Sequence, residues 1–149
     1  MNWPDRLSSE ARMILQPYFP DVDLGRVRLR GKIPWYVFDK PAGYTDRYSI
    51  YIDPATIPVD PLDQFALLAH EIEHTRQYLQ YGTWRFRCLY VLSYLKNRYR
   101  GLKHRQAYQN IDFEIEACRA ESRVACDLLA RASSLPQVIE KVERETYNV

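Results

Sequence analysis

Between Asp60-Pro61 and Gly82 the chain runs without a breaker, and this stretch constrains the fold more than any other. Asp60 suits an N-cap, Pro61 the first helical position and Asp63 the first turn. Gly82 suits the stop. Leu62, Phe65, Ala66, Ala69 and Ile72 recur at helical spacing, so one long amphipathic helix is predicted with that stripe toward the core. On it, His70 and His74 are four residues apart and therefore share a face, one turn from each other. Glu73 falls on the far side and is expected to be solvated.

Two imidazoles at that separation can hold one metal ion. The segment reads His70-Glu71-Ile72-Glu73-His74, so Glu71 is placed to reach a water on that ion. Zinc suits nitrogen ligands of this kind, and the glutamate suits a general base. The competing reading is two surface histidines on an amphipathic helix. The predicted chemistry is zinc-dependent hydrolysis of the zincin type, with a peptide or protein as substrate.

The chain has 149 residues, enough for one domain over 1–149 with a core that needs no staples. A net charge of +2 demands no nucleic-acid or membrane partner. No apolar run is long enough for a transmembrane helix, and the N-terminus shows no signal region. Cys88, Cys118 and Cys126 are an odd count without zinc-finger spacing, which favours a reduced, cytoplasmic protein.

Ser8 or Ser9 can cap a first helix that ends before Pro17. Three short strands are expected at Val27–Arg30, Trp35–Phe38 and Tyr48–Ile52, with a loop over Asp39–Gly43. After Gly82 a helix from Thr83 to about Tyr99 is apolar almost all round in its middle, which predicts burial on several sides. Lys96, Arg98, Arg100, Lys103 and Arg105 follow as a basic cluster, read as a solvated helix end or as an anion site. A long helix is predicted from about Asp112 to Arg131, then a last one capped by Ser133 or Ser134. The fold class is α+β: a short antiparallel or mixed sheet of about three strands on a mostly helical domain.

Catalytic zinc commonly has a third protein ligand. Glu114, Glu116, Glu121 and His104 are the candidates. Helix phase puts Glu116 on a polar face with Arg119 and Arg123, and Glu114 beside the buried stripe. An inward carboxylate needs a partner, and a metal is one; Glu114 is therefore the predicted ligand. Glu121, two turns on, can orient a metal-binding histidine. His104 sits among cations and reads as surface.

Ala69-His70-Glu71-Ile72-Glu73-His74-Thr75-Arg76-Gln77-Tyr78, followed by Phe113-Glu114-Ile115-Glu116-Ala117, resembles a bacterial family of minimal gluzincin-like metallopeptidase domains. The likeness covers roughly Val27 to Arg123. It implies a zincin-like fold, a short sheet on the active-site helix, zinc on His70, His74 and Glu114, and Glu71 as base. It also implies an edge strand that pairs with an extended peptide, for which Tyr48–Ile52 is the candidate. Many gluzincins carry Asp four residues after the ligand glutamate; here that residue is Cys118. Tyr78, Tyr108 and Arg76 are candidates to stabilise the oxyanion. Two other readings stand beside the peptidase: a non-catalytic zinc-binding or protein-interaction module on the same scaffold, and a membrane-surface protein that uses Trp84, Phe86 and the basic cluster.

Overall fold

The architecture is seen in a computed structural model, which describes residues 5–35, 37 and 42–147, with side chains as far as Ser133. It is α+β. The helices are α1 (Ser9–Leu15), α2 (Pro61–Tyr81), α3 (Thr83–Tyr99), α4 (His104–Gln109) and α5 (Asp112–Tyr147); the strands are β1 (Arg28–Arg30), β2 (Gly43–Asp46) and β3 (Ser49–Ile52).

The long helix has the expected bounds. The Asp60 side chain accepts from the Leu62 N–H at 3.0 Å, and Pro61 opens the first turn. Gly82, at φ 76, ends α2 with its N–H on the Tyr78 carbonyl and begins α3 at once. That left-handed corner folds α3 back across the end of α2, a turn a residue with Cβ makes only under strain.

The sheet is mixed, in the order β1-β3-β2. β3 runs parallel to β1 and antiparallel to β2, so Leu29, Ile50 and Thr45 stand in one row across it. Leu29, Ile50 and Ile52 bury their side chains against Ala69 and Ile72 of α2. Leu15, Phe19, Leu24 and Val27 complete this core together with Val124 of α5. Ser8 is the cap of α1, accepting from Ala11 at 3.1 Å.

Several expectations change. β2 lies where a loop was expected. Of the expected strand at Trp35–Phe38, Trp35 sits in a turn and Val37 in irregular chain; Tyr36 and Phe38 fall outside the described residues. Tyr48–Ile52 yields β3, but β3 is the central strand, so it has no free edge; β2 is the outer strand on the side of the site. Glu73 is buried, not solvated, because α5 packs over that flank of α2, and Arg76 pairs with it at 2.6 Å. No helix is capped at Ser133: α5 continues through it, and its hydroxyl donates back to the Leu129 carbonyl. The middle of α3 is not buried on several sides; Leu89, Val91, Leu92 and Leu95 are exposed.

Candidate metal centre

α2 carries the two histidines on the face opposite its sheet-packed stripe, and α5 crosses beside it with Glu114. The Glu114 carboxylate lies between the rings, 3.4 Å from His70 Nε2 and 3.2 Å from His74 Nε2. One ligand atom from each of the three lies within 4.8 Å of the others. Both other ring nitrogens are engaged. His70 Nδ1 faces Glu121 Oε2 at 3.1 Å, and His74 Nδ1 faces Gln77 Oε1 at 2.9 Å. The Gln77 amide is oriented in turn, since its Nε2 donates to the Phe113 carbonyl and to Glu116. With Nδ1–H donating in both rings, both Nε2 lone pairs point at the same place. Donor type and convergence allow these three residues to hold a metal ion.

Glu121, one turn beyond Cys118 on α5, is thus the carboxylate that accepts from His70 Nδ1. Cys118 lines the same cavity. Glu116 lies on the other flank, bonded to Gln77, and His104 is remote, at 2.7 Å from the Tyr94 hydroxyl.

Without a metal the three groups form an ion cluster. Burial opposes a charge on His70, but hydrogen bonds to Glu114 and Glu121 outweigh it and push the ring up to about 10. His74 moves up as well, its burial outweighed by Glu114. Burial works against ionised Glu114 too, yet its bonds from His70 and His74 hold the carboxyl well below the carboxylate range. Tyr90, on α3, donates to Glu114 Oε1 at 2.6 Å and holds the carboxylate from the opposite side.

Glu71 is buried beside this cluster. Burial raises its carboxyl, and the neighbouring His74 and His70 pull it back. Positions 43 and 45 of β2 face it by strand alternation. Thr45 donates to Glu71 Oε2 at 2.6 Å. At Gly43 a Cβ would overlap Glu71 Oε1 and stand 2.6 Å from its Cδ. Gly43→Ala should therefore displace Glu71 while leaving His70, His74 and Glu114 in place. Were Glu71 a general base, turnover should fall on the order of 100-fold for a displacement near 1 Å. Overpacking should cost about 1–3 kcal/mol. Steady-state kinetics and metal content of the variant check this; loss of metal with Glu71 unmoved would contradict it.

The site opens into a cavity of about 900 Å³ between α2, α3, α4 and β2. Tyr44, Tyr78, Phe86, Tyr90 and Tyr108 supply much of its wall. Of the oxyanion candidates, Tyr78 and Tyr108 reach it, whereas Arg76 is on the other side of α2 with Glu73. Thr45, Gly43 and Tyr90 are the functional residues missed in the sequence. The strand that carries the first two reads as loop, and nothing local singles out one tyrosine among twelve.

No family model, no curated protein and no solved structure matches the chain.

Proposed function

We propose that the chain is a zincin-like, zinc-dependent peptidase of the gluzincin kind. The observation that carries this reading is the convergence of His70 Nε2, His74 Nε2 and Glu114 beside a buried glutamate that is not a ligand. His70, His74 and Glu114 would hold the zinc, which when bound would supply a Lewis acid for a carbonyl and make water easier to deprotonate near neutrality. Glu71 takes the proton of the attacking water and delivers it to the leaving amine. Thr45 occupies its Oε2, which leaves Oε1 to carry that proton. Tyr78 and Tyr108 are the hydroxyl donors on the cavity wall for the oxyanion. Among the described residues β2 is the outer strand of the sheet beside Glu71, the position at which an extended peptide would run alongside it.

A non-catalytic module explains less. It has no use for a carboxylate buried at a cost, hydrogen-bonded by Thr45 and given room by a glycine. A reducing, cytoplasmic setting is supported by three cysteines that are all free.

The test is elemental analysis of zinc-loaded protein, followed by mass spectrometry of a peptide library. The expected result is about one zinc per chain, with cleavage that stops with a chelator and returns with zinc. Zinc without any cleavage would favour the binding module, and no zinc would end the enzyme reading and leave the fold as a scaffold for protein contacts.

A further inference from the structure

The exposed side of α3 is amphipathic in an unusual sense: its solvent face is the apolar one. At about 100° per residue, Val91, Trp84, Leu95, Cys88, Tyr99 and Leu92 fall within an arc of about 100°. All six are exposed, Trp84 at 80% and Tyr99 at 94%. The opposite face holds Phe86 and Asn97, which are buried against the rest of the fold. Phe86 belongs to the site's wall and not to this surface.

The charges that α3 itself sets around the stripe are of one sign. Arg85 and Lys96 flank it on one side and Arg98 on the other, where Arg87 is paired with Asp46 at 3.2 Å. Between Thr83 and Ile111 there are seven lysines and arginines and no aspartate or glutamate. The whole chain nets only +2, so the remainder is acidic and the positive charge is concentrated here.

We propose that α3 docks on an anionic lipid surface, lying in the plane of the headgroups. Trp84 and Tyr99 stand at the two ends of the helix, where aromatic rings favour the interface. Leu92, Leu95 and Val91 enter the acyl boundary, and the flanking cations extend their stems along it to reach lipid phosphates. No helix among the described residues is long and apolar enough to cross a membrane, so the contact is superficial. A second copy of this chain is a poorer occupant, because a twofold pairing of this face would oppose like charges. Nucleic acid is poorer too, since the centre of the face offers leucine and valine and no hydrogen bonds. Arg87 and Val91 also line the site's cavity, so docking would set the cleft mouth beside the lipid. None of this depends on whether the site binds zinc.

The test is co-sedimentation of the full chain with vesicles of phosphatidylcholine, with and without about one-third phosphatidylglycerol. The wild type should bind the anionic vesicles at least ~10-fold more tightly than the neutral ones. Lys96→Glu/Arg100→Glu should weaken that binding by at least ~25-fold, since each surface cation contributes about fivefold. Leu92→Glu/Leu95→Glu should abolish it, with melting temperature unchanged because both side chains are exposed. Wild type that ignores anionic vesicles would overturn the proposal. Binding that survives Leu92→Glu/Leu95→Glu would do so as well. A dimer seen by analytical ultracentrifugation, dispersed by those substitutions and unable to bind lipid, would assign the face to a second copy instead.

Discussion

On the proposed mechanism, Glu71→Gln should keep the zinc and lose the chemistry. Turnover of the best peptide should fall by about 10²–10⁴-fold, the usual worth of a positioned general base. The amide has nearly the carboxylate's shape and still accepts from Thr45, so the packing at Gly43 is retained. It cannot take a proton from water. Metal content should remain about one zinc per chain, because Glu71 is beside the three ligands and not among them. The metal-free variant should melt no lower than wild type, since a neutral amide replaces a carboxyl whose ionisation burial opposes. Single-turnover kinetics with parallel metal analysis make the comparison. Undiminished turnover would remove Glu71 from the mechanism; lost zinc would show that it holds the ion.

The site was more legible in the sequence than the sheet. Local rules set the ends of α2: an aspartate cap, a proline at the first position and a glycine that alone suits the turn. Once those ends stand, helical geometry puts His70 and His74 together. Glu114 was separable from Glu116 because both lie on one regular helix, where phase decides which side a residue takes. The strands follow no comparable rule. β2 has four residues, and the turn after it places Arg47 at φ 55, where glycine or asparagine would announce a hairpin. Without that hairpin neither Gly43 nor Thr45 could be set beneath Glu71. The error on α3 has another cause. Apolar residues all round a helix predict burial only if something covers each side, and here one side is left to solvent. Glu73 fails in the opposite direction: its place on α2 was right, but sequence phase does not reveal that α5 lies over it.

Glu114→Ala should have the largest effect on the metal. It removes one of the three proposed ligands, the carboxylate between the two rings, and each histidine loses a partner that favours its protonated form in the metal-free protein, His70 keeping Glu121. Zinc should fall from about one per chain to a small fraction after dialysis, with Tyr90 left without its acceptor. Full retention of zinc would move the third ligand to Glu121. The wild-type pH dependence follows from the same cluster. A protonated ring cannot bind metal, and His70 stays protonated up to about 10 while the site is metal-free. Zinc affinity should therefore rise with pH across neutrality, by roughly tenfold per unit for each proton displaced. Stability of the metal-free form runs the other way at the alkaline end. The His70 contribution is complete below 6.5, its unfolded value, and is lost as pH rises through about 10. The Glu114 contribution is complete above 4.5 and is lost only in strong acid, because its folded value is depressed. Melting temperatures of chelator-treated protein should thus form a plateau between those limits, and in Glu114→Ala the plateau should flatten and drop. An unchanged profile in that variant would mean that Glu114 and the histidines are not coupled, and the case for a shared metal site would fall with it.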